Sequence, residues 1–397
     1  MATTKTHLAA ILPAKGHPLT IKPRPTPSPG PGELLIAVKS IALNPADHIM
    51  RDTGLFIPPS AYPTVLGFDL AGVVVQVGKD VPTAYNTTPE AGREDKDEAA
   101  GPISIFHQGT GVAAYAAHVF KHCTPDYGAF QGMCLVPWEH AIPLPDGMGI
   151  TWNEAATLPV SMQVPLSAWD AMGISRFRAE TTAGQVAGED KGGKDQALLI
   201  WGASSSVGSM GVQSARLLSQ SSNSTFCAVY ATASAANHAY IRALGADRVF
   251  DYRGRNVVEE IVQAAKEDGL VIRCCFLAVG DVAMCQGVLK AFLPVASQDN
   301  EWKAKGTIAS APPIPDTLEE VDGVKTTFLN PSTDEKERLA QFQYWMGNWG
   351  RRNLVKGAIR PSLEVRVVGR GLGATNAGLD LLRKGVSCTK LVVEVAE

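Results

Sequence analysis

Small residues follow a short apolar run in the middle of the chain. Residues 198–201 (LLIW) are long enough for one buried strand, and apolar residues then recur at helical spacing over residues 210–218. The turn between them, residues 202–208, reads GASSSVG, and its three serines, Ser204 to Ser206, keep it small and add hydroxyl donors. The free amides and the positive dipole end of a helix N-terminus bind anions. The turn is therefore a candidate phosphate site.

The residues behind the turn indicate which nucleotide the site would take. Ser204 stands where the second glycine of the Gly-x-Gly-x-x-Gly dinucleotide pattern would be. A second apolar run, residues 225–231, follows at the spacing of a strand–helix–strand unit, and in NAD-binding units an acid ends this strand and binds the ribose 2′-hydroxyl. Here Ser234 and Asn237 follow it, and the next acid is Asp247. Hydroxyl and amide groups can donate to a 2′-phosphate that a carboxylate would repel, so the sequence favours NADPH over NADH.

The composition is that of a globular protein with two domains. The 397 residues, 45% of them hydrophobic, suit two separate cores. A net charge of −3, from 36 basic and 39 acidic residues, predicts neither nucleic-acid nor membrane-surface binding, and no apolar stretch is long enough to span a bilayer. Seven cysteines without framework spacing indicate a reducing compartment, and the N-terminal apolar run is too short for a secretory signal. We therefore expect a cytoplasmic protein.

Patterning predicts β structure first and then alternating β and α structure. Strand patterns at residues 8–12 and 33–38 flank a proline-rich stretch, 23–31, that is either a stiff edge connection or a polyproline ligand; its position directly before a strand favours the first. Behind the phosphate turn, strand and helix patterns alternate as in a doubly wound parallel sheet. The polar segments 83–104 and 179–196 are predicted to be a solvated insertion and a linker.

The C-terminal part is predicted to return to the first domain. Residues 334–353 have the pattern of one helix, and residues 390–395 that of a final strand. We expect this tail to fold back on the N-terminal β structure.

Several short motifs together resemble the medium-chain dehydrogenase/reductase superfamily. They are NPAD at 44–47, LGFDLAG at 66–72, GASSSVG at 202–208, LGAD at 244–247, LLRKG at 381–385 and KLV at 390–392. The FDYR sequence at 250–253 and the long polar linker before the turn are similar to one fungal branch. It comprises zinc-free quinone- and enoyl-reductase-like proteins, among them the trans-acting enoyl reductases that partner polyketide synthases.

The resemblance implies an α/β fold in two domains. A GroES-like β-barrel catalytic domain would comprise residues 1–165 and 345–397. A Rossmann domain, a doubly wound parallel sheet that binds NADPH, would comprise residues 166–344, with the substrate cleft between the two.

The resemblance also implies the cofactor contacts. These contacts fall into four groups according to the part of the cofactor they would meet. They are Ala46, Asp47, His48 and Ile49 beside the nicotinamide half; Ser204, Ser205, Ser206 and Val207 at the pyrophosphate; Ser234, Asn237 and Tyr252 around the 2′-phosphate; and Ser310, Ala311, Val386 and Ser387 on the nicotinamide side. A phenol such as Tyr252 can hydrogen-bond a phosphate. A buried strand aromatic is the alternative for this residue.

No metal is expected. Zinc-dependent relatives carry a Cys at or near Asp47 and a Gly-His-Glu sequence where this chain has Gly-Phe-Asp at 67–69. His118, His122 and Cys123 could converge on an ion, since His residues at i and i+4 share a helix face. The sequence around them predicts a loop, however, and offers no evident fourth ligand.

The expected reaction is hydride transfer from NADPH to a conjugated C=C bond or a quinone, with the protein positioning the acceptor and excluding water. Reduction of a conjugated alkene also needs an oxyanion donor and a proton. Many relatives carry a Lys where this chain has Ile49, and polyketide-type enzymes a Thr where it has Val164. His48 is the candidate proton donor because its ordinary pKa is closest to neutrality; a structural role for it, and a proton from solvent, are the alternatives. Candidate substrate contacts are Tyr62, Ser161, Gln163 and Val164.

Three functions follow from these observations. The leading hypothesis is an NADPH-dependent enoyl reductase of fungal secondary metabolism, acting on a small-molecule or carrier-tethered enone with a polyketide synthase as partner. The second is an NADPH:quinone oxidoreductase for small free acceptors. The third is a non-catalytic NADPH-binding protein, which the apolar Ile49 and Val164 would permit. The missing zinc ligands argue against an alcohol dehydrogenase.

Overall fold

The computed structural model describes residues 5–82, 106–145, 147–174, 195–221, 224–293 and 306–395. The predicted insertion 83–104 and nearly all of the predicted linker 179–196 lie outside the described residues. In chain order, the strands are β1 Thr6–Leu12, β2 Thr20–Pro25, β3 Glu33–Ala42, β4 Thr64–Val65, β5 Asp69–Val77, β6 Gly111–Tyr115, β7 Met133–Pro137, β8 Ala141–Pro143, β9 Gln196–Trp201, β10 Ala228–Ala233, β11 Arg248–Asp251, β12 Val271–Leu277, β13 Gly306–Ser310, β14 Val324–Phe328, β15 Glu364–Arg370 and β16 Thr389–Glu394.

The helices follow the same order. They are α1 Pro45–Thr53, α2 Trp152–Ala155, α3 Leu158–Ala171, α4 Ser206–Ser219, α5 His238–Ala243, α6 Val257–Glu267, α7 Val282–Lys290, α8 Glu335–Phe342, α9 Arg351–Val355 and α10 Thr375–Arg383. In the described ranges, no helix is both long enough and apolar enough to cross a membrane.

A parallel sheet forms the second half of the molecule. Its strand order is β11-β10-β9-β12-β13-β14, and each neighbouring pair is parallel. The chain runs outward from β9 to β11 on one side and from β12 to β14 on the other, so the switch point lies between β9 and β12. Ligands of such sheets bind at the carboxyl ends of the strands near this point. The predicted doubly wound sheet is confirmed.

The N-terminal half is a barrel of mainly antiparallel strands that the C-terminal tail completes, with β15 and β16 as a parallel pair. Its main sheet has the order β15-β16-β3-β5-β6-β8, with β7 also paired to β3, and a smaller sheet has the order β2-β1-β4. Gly72 allows β5 to approach β3 closely, since a Cβ there would lie 2.1 Å from the carbonyl oxygen of Ala37. The tail strand β16 pairs antiparallel with β3, which confirms that the tail folds back.

Helix α3 connects the barrel to the parallel sheet. At its first turn, the amide of Val160 donates to Asp69 Oδ1 at 2.8 Å on β5 of the barrel. Near its last turn, Trp169 Nε1 donates to Ser214 Oγ at 3.1 Å on α4. The predicted domain limit at residue 165 falls inside this helix, and the domain limits stay a prediction.

Three local predictions differ from the structure. Strand β2 includes Pro23 and Pro25, which were assigned to the connector; β2 pairs only with β1, so prolines on its open side break no ladder hydrogen bonds. The predicted helix 334–353 is divided into α8, a π-helical stretch Gln343–Gly350 and α9. Strand β14, Val324–Phe328, was not predicted, because its pattern VKTTF carries little apolar signal.

Candidate functional site

The predicted phosphate turn lies at the carboxyl end of β9, next to the switch point. Ser205 is the N-cap of α4: its hydroxyl oxygen accepts the amide of Gly208 at 3.1 Å and its O–H donates to the carbonyl of Gly202 at 2.8 Å. Ser206 and Val207 form the first turn of α4, whose amides have no helical acceptor. These donors and the dipole of α4 fit the pyrophosphate of a dinucleotide.

Two glycines make this turn compact. Gly202 has φ +82°, and a Cβ there would lie 2.4 Å from the carbonyl oxygen of Val279. A Cβ on Gly208 would lie 2.3 Å from the carbonyl oxygen of Gly202. Both positions must therefore be glycine for the turn to keep its shape. The lack of side chains also lets a ligand approach the backbone.

Polar groups expected around a 2′-phosphate come together at the end of β10. Asn237 Nδ2 donates to Ser234 Oγ at 3.1 Å and to Ser387 Oγ at 3.4 Å. Tyr252 is 42% exposed, which rules out the buried-aromatic alternative, and the guanidinium of Arg253 lies 5.5 Å from its ring centre. Sequence reasoning missed Arg253 as a cation beside this cluster, although it directly follows Tyr252.

One carboxylate borders this cluster. Asp251 accepts the amide of Arg253 at 3.0 Å and that of Ala235 at 3.2 Å. The hydrogen bond from the amide of Arg253 is the main reason why the pKa of Asp251 lies below its ordinary value. Both oxygens of the ionised Asp251 thus accept backbone hydrogen bonds, and Arg253, two residues later, carries a positive charge.

Ser387 lies beside the polar cluster at the end of β10. The resemblance places Ser387 and Val386 on the nicotinamide side, and in the structure Ser387 contacts Asn237, which follows β10. Strand β10 lies on the far side of β9 from β12 and β13. Ser387 therefore adds a hydroxyl to the polar cluster of Ser234 and Asn237, and a nicotinamide contact of Ser387 or Val386 stays a prediction.

Ser310 and Ala311 lie where a nicotinamide half would be expected, at the carboxyl end of β13. The Ser310 hydroxyl is buried and donates to the carbonyl of Pro312 at 2.7 Å. The amide of Ala311 donates to the carbonyl of Leu277, the last residue of β12, at 2.9 Å. These contacts hold the strand ends together on the β12 side of the switch point.

Helix α1 begins in a buried polar cluster that also includes strands β5 and β16. Lys390 Nζ donates to Asn44 Oδ1 at 2.6 Å and to Asp69 Oδ2 at 3.2 Å, and Asn44 Nδ2 donates to Asp69 Oδ2 at 2.9 Å. Both members of the Lys390–Asp69 ion pair are almost completely buried. We call Asn44, Asp69 and Lys390 the buried triad. It joins the two ends of the chain beneath the first turn of α1.

Asp47 completes the first turn of α1. Its Oδ2 accepts the amide of Asn44 at 2.7 Å, whereas its buried Oδ1 has no hydrogen-bond partner. Burial is the main cause that raises the pKa of this fully buried carboxyl from 3.8 to about 8. Asp47 therefore carries a proton near neutral pH and braces the first turn of α1.

The free energy of unfolding should depend on the protonation of Asp47. The folded state binds the Asp47 proton more tightly than the unfolded chain does. The protonated carboxyl therefore contributes its full stabilisation below about pH 4, and this contribution is lost as the pH rises to about 8. An Asp47→Asn variant keeps an acceptor for the Asn44 amide and loses the titration. Relative to wild type, we expect its free energy of unfolding to rise by at least ~1 kcal/mol between about pH 5 and pH 8.5. Urea titrations of both proteins without cofactor measure this; parallel pH curves would contradict it.

His48 lies next to an acidic residue of its own helix. Its Nδ1 lies 4.0 Å from Asp52 Oδ2, one helical turn along α1. Asp52 also pairs with Arg51 at 2.7 Å and Arg383 of α10 at 3.6 Å. Burial is the main cause that lowers the pKa of His48. This setting favours the structural alternative, in which His48 belongs to the charged contact between α1 and α10.

The predicted substrate residues divide into two groups. Ser161, Gln163 and Val164 lie on α3; the Ser161 hydroxyl donates to the carbonyl of Leu158 and Gln163 Nε2 donates to Ser167 Oγ, both at 2.8 Å. Tyr62 lies elsewhere, and its hydroxyl is buried without a partner close to Gly54, at the other end of α1. The structure therefore does not bring Tyr62 together with the α3 residues.

An aromatic wall that sequence reasoning missed stands beside the buried triad. It consists of Phe68, Tyr115, His118, His140 and Phe342, with ring centres 3.9 Å apart for His140 and Phe342, 4.6 Å for Phe68 and His118, and 4.9 Å for Tyr115 and Phe342. Burial lowers the pKa of both histidines to about 3, so both are neutral. The wall is uncharged and almost completely buried, so it is part of the core beside the triad. Its members come from four separate segments of the chain, so no periodic pattern in the sequence predicts it.

The three residues considered as possible metal ligands do not converge on one point. His118 belongs to the aromatic wall, while His122 and Cys123 follow it in left-handed backbone conformation, with φ of 53° and 56°. Across the described ranges, no group of three or more His, Cys, Asp and Glu side chains is arranged to hold a metal ion.

Comparison with known proteins identifies the family. The family model "Alcohol dehydrogenase GroES-like domain" matches residues 30–146. A trans-enoyl reductase of Aspergillus flavipes is 38% identical over 389 residues, covering 98% of this chain and 99% of the relative. A trans-enoyl reductase of Aspergillus terreus is 38% identical over 335 residues, covering 84% and 95%. The chain belongs to the medium-chain dehydrogenase/reductase superfamily. This reductase lies in its enoyl reductase-like branch, is an oxidoreductase and uses a nicotinamide cofactor, which confirms the resemblance seen in its motifs.

Solved structures agree with this fold. An alcohol dehydrogenase superfamily protein from Novosphingobium aromaticivorans matches the reductase with a TM-score of 0.69 at 20% identity, covering 98% of this chain and 100% of that chain. The CurK enoyl reductase matches with a TM-score of 0.66 at 16% identity, covering 98% and 99%. At such identities the likeness concerns the fold alone. The predicted GroES-like barrel with a Rossmann sheet is confirmed.

Proposed function

We propose that this protein is an NADPH-dependent, zinc-independent enoyl reductase of fungal secondary metabolism. The observation that carries the proposal is the 38% identity, over 98% of the chain, to a protein named trans-enoyl reductase. The site geometry supports it, because the dinucleotide turn at the carboxyl end of β9 offers a cofactor cradle next to the switch point of the parallel sheet. Seven free thiols, with no disulfide among them, support the cytoplasmic location we propose for it.

The cofactor would supply a hydride to the electron-poor carbon of a conjugated C=C bond. Ser204 to Val207 would bind its pyrophosphate, and Ser310 and Ala311 would lie beside its nicotinamide half, together with Ala46 and Ile49 at the start of α1. The buried triad holds that start in place. The almost completely buried aromatic wall packs beside the triad and keeps this region of the barrel apolar.

The proton for the second carbon would come from solvent. Ile49 and Val164 are apolar at positions where relatives carry Lys and Thr, and the His48 ring is directed towards Asp52. Asp47 is protonated near neutral pH, but its carboxyl is fully buried. A solvent proton predicts a rate that is insensitive to His48→Gln.

Cofactor preference should depend on Ser234. We expect Ser234→Asp to raise the Kd of NADPH at least about tenfold, because a carboxylate at the end of β10 would repel the 2′-phosphate. The same variant should bind NADH within about twofold of wild type, or more tightly, since a carboxylate there can accept the ribose 2′-hydroxyl. Calorimetric titration with both cofactors measures this. Equal losses for NADPH and NADH would contradict a 2′-phosphate site at this cluster.

Zinc independence is supported by the buried triad. Zinc-dependent relatives place ligands at or near Asp47 and at Phe68. Here Phe68 is part of the aromatic wall, and the Lys390 ammonium supplies the positive charge to Asn44 and Asp69. Activity should therefore survive dialysis against a zinc chelator without change.

Substrate turnover decides between the proposed reaction and its alternatives. Stopped-flow NADPH oxidation with an enone panel, a quinone panel and carrier-tethered enoyl chains is the direct measurement. Reduction of tethered chains alone supports a polyketide synthase as partner, and reduction of quinones alone indicates an NADPH:quinone oxidoreductase. Absence of turnover with tight NADPH binding indicates a non-catalytic NADPH-binding protein.

A further inference from the structure

A short segment of the C-terminal tail connects the barrel to helix α4. Residues 360–362 lie between α9 and β15, and β15 stands at one end of the main barrel sheet. The amide of Arg360 donates to Gln213 Oε1 of α4 at 3.0 Å, and its carbonyl accepts Gln213 Nε2 at 3.2 Å. Ser362 Oγ lies 2.6 Å from Ser209 Oγ, also on α4. We call residues 360–362 the clasp.

The spacing of the clasp matches that of α4. Ser209 and Gln213 stand four positions apart, so they share one face of the helix about 6 Å from each other. Alternate residues of an extended chain are about 6.6 Å apart, and a residue that precedes proline, as Arg360 does, favours extended backbone. Ser209 is 0% and Gln213 5% exposed. The clasp therefore meets two buried polar side chains of α4 in register.

The hydroxyl protons at this contact have one consistent direction. The Ser209 hydroxyl donates to the carbonyl of Ser206 at 3.0 Å. Because a hydroxyl has only one proton to donate, Ser362 is the donor and Ser209 the acceptor in the 2.6 Å contact. Burial raises the pKa of the neighbouring Tyr240 phenol to about 12, so this phenol is neutral and can itself donate to Ser362. The proton of Ser362 is thus free to serve Ser209.

This chain of hydrogen bonds ends on a peptide of the dinucleotide turn. The carbonyl of Ser206 and the amide of Val207 belong to the same peptide unit. The Val207 amide lies in the first turn of α4, where amides have no helical acceptor, and it is one of the donors assigned above to the pyrophosphate. A hydrogen bond accepted by the carbonyl of a peptide strengthens its amide as a donor. The clasp therefore acts on the pyrophosphate site through Ser209.

We propose that Ser362 is a positioning residue for the cofactor. Through Ser209 it orients and polarises the Ser206–Val207 peptide, so that pyrophosphate binding and docking of the clasp on α4 stabilise each other. Such coupling is reciprocal: the cofactor must tighten the clasp by the same factor by which the clasp tightens cofactor binding. The inference rests on the pyrophosphate placement proposed above and applies to NADPH and NADH alike.

Ser362→Ala tests this role. We expect it to raise the Kd of NADPH and of NADH by the same factor, about three- to tenfold, as for the loss of one hydrogen bond. Calorimetric titration measures both. Adenosine 2′-monophosphate lacks the pyrophosphate, so its Kd should not change; a loss of the same size for this fragment would show a role in folding only and overturn the proposal. Ser362→Thr keeps the hydroxyl and should recover most of the affinity.

Variants of α4 separate the hydrogen-bond chain from general effects on the helix. Ser209→Ala should lose at least as much affinity as Ser362→Ala, and combining the two should cause no further loss, because both act through one chain. Ser219→Ala is the matched control. Ser219 donates to the carbonyl of Arg216 at 2.8 Å, the same kind of bond at the other end of α4, so its removal should leave both Kd values unchanged.

Hydrogen exchange tests the reverse direction. Saturating NADPH should slow exchange of the Arg360 amide in wild type, and by less in Ser362→Ala. Equal slowing in both proteins would overturn the coupling. Wild-type Kd values in Ser362→Ala, with weakened binding in Ser206→Asp, would overturn the role of Ser362 and leave the pyrophosphate placement intact. Wild-type Kd values in both variants would overturn the placement and the role of the clasp together.

Discussion

A Gly208→Ala enzyme is expected to lose about a hundredfold in affinity for its nicotinamide cofactor. The added Cβ would lie 2.3 Å from the carbonyl oxygen of Gly202 and 2.9 Å from Ser205 Oγ, distances that require the turn to open. Opening moves the first-turn amides of Ser206 and Val207 away from the pyrophosphate. Two charge-assisted hydrogen bonds at ~1.5 kcal/mol each account for about two decades of Kd. Titration calorimetry with NADPH measures the change.

Two further variants make this prediction specific. Gly373→Ala is the control, because a Cβ at that position has no neighbour within 4 Å. Ser206→Asp adds a carboxylate at a partly exposed position and favours the N-terminus of α4, yet its charge would repel the pyrophosphate. We expect it to keep the melting temperature of wild type and to weaken cofactor binding at least about tenfold. Wild-type Kd values in both Gly208→Ala and Ser206→Asp would show that the cofactor binds elsewhere.

Lys390→Met is expected to lower the free energy of unfolding by about 3–5 kcal/mol. The substitution leaves the Asp69 carboxylate, which is 0% exposed, without its cation, and it removes the donor to Asn44. Desolvation is the main cause that raises the pKa of Asp69, and Lys390 opposes it. Without the lysine, the carboxyl should take up a proton at higher pH, so the loss should be larger at alkaline than at acid pH. Urea unfolding at several pH values measures both effects.

The double variant Asp69→Asn with Lys390→Met tests the cause. Removing both charges leaves no unpaired ion, so we expect it to recover at least half of the loss. Lys384→Met, at an exposed position after α10, should change stability by less than about 0.5 kcal/mol. If the double variant is no more stable than Lys390→Met, the lysine acts through packing of its stem and not through the ion pair.

Local sequence patterns determined the elements that carry the cofactor site. The apolar run before GASSSVG, the small residues of the turn and the helical spacing after it all concern neighbours along the chain. The structure accordingly has β9, the N-cap at Ser205 and α4 where the pattern indicated them. The turn from Ser234 to Asn237 after β10 follows for the same reason, because an element boundary needs only short-range signals.

Tertiary structure alone decided which distant residues meet. Lys390 and Asp69 are 321 positions apart, and a buried ion pair leaves no periodic trace in either strand. The aromatic wall, the contact of Ser387 with Asn237 and the direction of the His48 ring likewise depend on how α10 and the π-helical stretch pack. Strand β14 has a weak pattern because an edge strand buries little surface. Turn chemistry and periodicity are local properties, so the sequence by itself determined them. The buried charges meet their neighbours only after the two chain ends close the barrel.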